Sequence, residues 1–187
     1  MSTNRIFQSI LNRLPDKASL VNVYAVGVAL GFNWTLMNSF WKIPSWLFYM
    51  NLGQVASIYA YTIAFDFIES VLLLAGCVLI SLALPAAWWK EKFVSRSAMV
   101  LIVVMSSLFL SAFQFRDPDT RQQFVDIQPV WWAVTFGIAF SFAWLAGRVR
   151  WLGRALENLA DRCIIFLFVY MPLTALSILV VLARNIF

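Results

Sequence analysis

Along the chain, apolar runs too long for strands alternate with short charged stretches. The runs at 20–41, 62–89, 97–115, 129–147 and 163–183 approach or exceed the roughly 20 residues of helix that cross a hydrocarbon core about 30 Å thick. Backbone groups in lipid have to hydrogen-bond within their own segment, so each run is expected to be helical. The implied fold class is an all-α integral membrane protein. It is a five-helix transmembrane bundle with short interfacial amphipathic helices, one membrane domain over 1–187.

Between the runs the pattern changes. Over 4–14, Ile6, Phe7, Ile10, Leu11 and Leu14 share a stripe, as in a short helix lying in the interface. Pro15 interrupts it, and Asp16 or Ser19 is placed to cap the first crossing. Residues 42–57 mix Pro44, Trp46, Asn51 and Gly53, and read as an interfacial or partly re-entrant segment. Residues 116–128 read as a solvated loop, in which Asp117 and Asp119 are too few carboxylates to specify a cation. A second surface helix is expected over 148–162, with Arg148, Arg150 and Arg154 beside an apolar side of Trp151, Ala155, Leu156 and Leu159.

The run from Tyr59 to Trp89 holds the candidate chemistry. Asp66 and Glu69 are the only charges between Lys42 and Lys90. On a helix they share a face with Thr62, Ser70, Leu73, Gly76, Cys77, Ile80 and Ser81, whereas Ala64, Ile68, Val71, Leu72, Ala75, Val78, Leu79 and Leu82 form a face suited to lipid. Counting inward from tryptophans at the inner interface puts the pair near the outer boundary. A carboxylate deep in a membrane marks a functional site by default, and the inference weakens towards the interface. The candidate polar site is therefore Asp66, Glu69 and Asn33. Its structural counter-reading pairs the carboxylates with Tyr59, Tyr61, Asn38, Gln114, Lys42 or Arg116.

Small residues mark expected helix contacts. Gly27 and Gly31 form a G-x-x-x-G step, Ser107 and Ser111 lie four apart, and Gly137 and Ser141 adjoin a row of Ala139, Ala143 and Gly147. Asn22 and Asn33, nearly on one face, are expected to bond to other helices.

Composition agrees with this picture: 62% of residues are hydrophobic and 12% charged, against roughly 25% charged in soluble domains. The chain has no histidine, so the commonest haem and zinc ligand is missing, and no cofactor is expected. Cys77 and Cys163 have no partner in metal spacing and read as packing residues. The net charge of +5 is explained by topology rather than by nucleic acid, because the bases flank apolar runs. Ten bases fall on the N-terminal side of the expected membrane and four on the other, so the N-terminus is expected to be cytoplasmic and the C-terminus outside. That orientation implies a plasma (inner) membrane and an anionic inner leaflet as the lipid partner. The foremost functional expectation is a non-catalytic accessory or structural subunit whose partner is another membrane protein. The alternatives are an ion-coupled or small-solute transporter using Asp66 and Glu69, and a lipid-modifying enzyme with the same pair as acid and base.

Overall fold

The computed structural model describes residues 14–186, which form helices and short connections with no strand among them. Five long helices account for nearly all of it: α1 (Lys17–Tyr49), α2 (Leu52–Ala83), α3 (Phe93–Gln114), α4 (Pro118–Arg148) and α5 (Arg150–Ile186). A helical turn at Ala86–Trp89 and a 3-10 turn at Lys90–Lys92 join α2 to α3. Each long helix carries a stretch long and apolar enough to cross a membrane, so the fold is the expected five-helix membrane bundle.

Local chemistry sets the ends of the first two helices. Asp16 caps α1 by accepting from the Ser19 amide at 3.3 Å and its hydroxyl at 2.6 Å. Asn51 and Gln54 form a reciprocal capping box at the start of α2, with bonds of 2.9 and 3.0 Å. Pro85, which has no amide hydrogen to continue the ladder, follows the end of α2.

Helix α1 is the centre of the bundle and packs on α2, α3 and α5. Its stretch from Val23 to Ala29 is buried on every side, as an all-round apolar helix has to be. These residues pack with Ala98 and Leu101 of α3, Ala160 and Cys163 of α5, and Cys77 of α2. Alanines Ala139 and Ala143 bring α4 against α3, and Trp89 plugs the bundle end at the α2–α3 turn beside Phe140. At that end Arg96 is buried, with its guanidinium 5.6 Å from the Trp88 ring and lying across Gly147, where an added Cβ would meet Cζ at 2.6 Å.

Several expected connections are helix. Residues 42–57, expected to be interfacial or partly re-entrant, are helix but for a turn at Met50 and Asn51: α1 runs through Pro44 to Tyr49 and α2 begins at Leu52. The capping box initiates α2 early, and the Trp46 and Tyr59 rings, edge to face at 6.2 Å, hold the two extensions together. The expected loop 116–128 shrinks to a short turn, because Pro118 opens α4 in its first turn, where a proline costs nothing. The expected surface helix 148–162 is the beginning of α5, separated from α4 by Val149 alone. Its buried face of Gly153, Leu156, Ala160 and Cys163 continues into Tyr170, Thr174 and Ser177, while Trp151, Ala155 and Leu159 of the expected apolar side stay exposed. The interfacial helix expected at 4–14 falls, except for Leu14, outside the described residues.

Candidate functional site

The capping box sets where the acidic pair falls along its helix. Asp66 stands 14 residues after Leu52 and 17 before Ala83, which leaves roughly 21 and 26 Å of helix on its two sides. The pair is thus in the middle of α2, whose 32 residues make a helix longer than a hydrocarbon core is thick.

At that level three helices bring polar side chains together. Thr35 of α1, itself buried, donates its hydroxyl to Asp66 Oδ1 at 2.9 Å. The second oxygen, Oδ2, is buried with no hydrogen-bond partner. Ser70, one turn along α2, donates to its own helix at the Phe67 carbonyl, 2.9 Å, and has the Tyr24 hydroxyl of α1 at 3.3 Å. From α5 come Tyr170, 1% exposed, and Thr174. The Tyr170 hydroxyl has those of Ser70 and Thr174 beside it, but completes a hydrogen bond to neither, and Thr174 Oγ1 is likewise buried and unpartnered. Phe32 closes one side, its ring edge-to-face on Tyr170 at 5.5 Å.

Two spaces meet at the carboxylates. A gap of about 10 Å³, room for one water at most, lies between α1, α2, α3 and α5 and is lined by Asp66, Glu69, Ser70 and Tyr170. A groove of about 590 Å³ runs between α2 and α3 over the floor of α1, and Asp66, Glu69 and Gly31 line it as well. Asp66 thus stands where an open apolar groove narrows into a buried cluster of hydroxyls. Removing an anion from water is costly unless hydrogen bonds or a cation replace the solvent. Thr35 supplies one such bond, and the remaining oxygen is suited to a proton, a cation or a donor group.

The other expected site residues are distributed differently. Glu69 lines both spaces but is exposed and, among the described residues, forms no hydrogen bond or ion pair. Asn33 does not join the pair: it is exposed and donates to its own helix at the Ala29 carbonyl, 2.6 Å. Of the suggested counter-partners, Tyr61 accepts from Asn185 instead. Asn22 reaches another helix, donating to Asp161 at 2.8 Å.

The small residues divide similarly. Ser107 accepts from Trp131 Nε1 at 2.9 Å and bonds to Thr135 at 2.7 Å, tying α3 to α4. Ser111 is buried but donates to its own helix at Leu108. Gly27 and Gly31 are not at a close backbone crossing. A Cβ on Gly27 would find Leu101 Cδ1 at 3.9 Å, and one on Gly31 would meet nothing within 4 Å, because the groove opens there. Gly137 has the same open space and is exposed with Ser141, which bonds back to it; the residues of that row that face α3 are Ala139 and Ala143.

Sequence reasoning missed Thr35, Tyr24, Tyr170 and Thr174. A signal was present for the last two: Tyr170, Thr174 and Ser177 fall at i, i+4 and i+7 in an otherwise apolar run, one buried helical face. No family model, characterised protein or solved structure matches this chain. What its five long apolar helices define is a polytopic membrane protein.

Proposed function

We propose that the chain binds a proton or a small cationic group at Asp66, as the polar site of an ion-coupled or small-solute transporter. The observation that carries this reading is the mid-helix carboxylate with one oxygen held by Thr35 and the other buried and unpartnered, at the end of an open groove. An acidic residue inside a membrane costs at least ~2.5 kcal/mol on insertion scales, and carboxylates placed there commonly mark ion pathways and proton relays. The titratable groups sharing the gap with it are Glu69 and Tyr170, with Tyr24 bonded to Ser70 beside them. In this reading the protein sits in a plasma membrane with its N-terminus cytoplasmic. The excess of bases at the turn joining α2 to α3 and at the α4–α5 junction supports that orientation.

The test is a comparison of wild type with Asp66→Asn, which keeps the size of the side chain and an acceptor for Thr35. In lipid nanodiscs the wild type is expected to melt at a temperature that depends on pH and on added sodium, and the variant to fold but lose that dependence. Identical responses would defeat the proposal. A non-catalytic accessory subunit is the second reading. It is favoured by an apolar groove of about 560 Å³ on the outer face of α3 and α4, lined by Val103, Leu110, Val130 and Ile138. It predicts a stoichiometric membrane partner in mild-detergent purification, recovered equally with Asp66→Asn.

A further inference from the structure

The groove between α2 and α3 is graded along its length. At one end stand Asp66 and Glu69 with Trp34, whose ring is stacked on Phe109 at 4.2 Å and 9°. From there the walls are apolar, passing Leu73 and Gly76 to Ile80 on α2. Asp66 to Ile80 is 14 residues of helix, roughly 21 Å. The space of about 590 Å³ falls within the range of small-molecule pockets, roughly 300–1,000 Å³. Glycine keeps the groove open at two levels, since a Cβ on Gly31 or Gly76 would meet nothing within 4 Å.

A ligand that matches this surface has opposite requirements at its two ends. Its head has to be cationic, because the carboxylates face the groove and, among the described residues, neither forms an ion pair with a lysine or arginine. The stacked Trp34 and Phe109 rings also line the groove, and a ring lining a site attracts an ammonium group. The adjoining gap is lined by Tyr170, whose hydroxyl is buried without a hydrogen-bond partner. Its body has to be apolar and extended, because the remaining length has no polar group to offer. We infer that the groove takes a cationic amphiphile, an amine or quaternary ammonium head at Asp66 with its hydrocarbon tail laid between α2 and α3. This deepens the proposed function and rests on it, by naming the class of solute.

The experiment uses the full chain in phosphatidylcholine nanodiscs, with signal from empty nanodiscs subtracted. Radiolabelled dodecyltrimethylammonium is compared with tetramethylammonium, and with dodecyl sulfate as the same tail on the opposite charge. The expected result is that the long-chain cation binds at least tenfold more tightly than tetramethylammonium, about 1.4 kcal/mol, and that dodecyl sulfate does not compete. Gly76→Leu, which places a side chain in open space within the groove, is expected to weaken long-chain binding at least tenfold while its melting profile shows it folded. Equal affinity for the long and short cations, effective competition by dodecyl sulfate, or undiminished binding to a folded Gly76→Leu would each overturn the inference. The response of wild type and Asp66→Asn to protons and sodium, read alongside, judges the Asp66 reading separately. A sodium response without long-chain selectivity refutes the amphiphile alone; no response to either refutes both.

Discussion

Asp66 and Glu69 are three residues apart, and the angle between them decides their roles. Three residues advance a helix by 300°, so Asp66 meets Thr35 of α1 while Glu69 stays exposed beside the groove. The same angular argument explains the exchange of Asn33 for Thr35: two residues rotate the side chain by 200°, and Asn33 returns to its own Ala29 carbonyl. At the start of the chain, the hydrogen bonds from the Ser19 hydroxyl and amide hold the Asp16 carboxyl below its ordinary value of 3.8. A depressed folded-state pKa stabilises the fold above the unfolded pKa, and the contribution is lost as pH falls through the folded value. Asp16→Ala is therefore expected to lower the melting temperature at pH 6, and the gap to wild type to shrink as pH falls below about 3.8. Thermal unfolding of both proteins across that window checks it, and a gap that is constant with pH would count against the charged cap.

Among elements, the contacts that hold the bundle are made by alanine and hydroxyl rows rather than by the glycine step. Ala139 and Ala143 are wholly buried against α3, and Ser107, Thr135 and Trp131 bond across the same interface. Without a hydrophobic driving force between helices in lipid, close contact and interhelical hydrogen bonds carry association. Ala143→Leu is expected to destabilise the protein by about 1–3 kcal/mol through overpacking. Gly137→Leu, on the exposed side of the same helix where an added Cβ meets nothing within 4 Å, is expected to be tolerated. Melting temperature and monodispersity of the two variants measure the contrast; equal damage would mean that the Gly137 side of α4 is also in contact.

For the whole molecule, the charge bias places the turn joining α2 to α3 and the α4–α5 junction on one side and the α3–α4 turn on the other. Native Cys77 and Cys163 are both buried and interfere little with labelling. Single cysteines at Lys92 or Arg154 are expected to be protected from impermeant thiol reagents in intact cells, and one at Arg121 to be labelled. The reverse pattern would invert the orientation and turn the acidic groove end towards the cytoplasm. The five helices and most of the apolar side of α2, exposed at Ile68, Val71, Leu72, Ala75 and Leu79 but half-buried at Ala64, Val78 and Leu82, were legible in the sequence. Hydrophobic run length and helical periodicity are local properties that lipid enforces on each segment separately. The acidic pair was legible as well, because a charge in an apolar run stands out whatever surrounds it. The place of Asp66 along its helix was not, since it depends on where α2 begins, and a polar capping box lies outside any hydropathy window. The partner of Asp66, the open space at Gly31 and Gly76, and the Tyr170 and Thr174 hydroxyls were decided only by the tertiary structure. Each requires the rotation of one helix against another, and that rotation is set by packing around Val23 to Ala29 rather than by any single run.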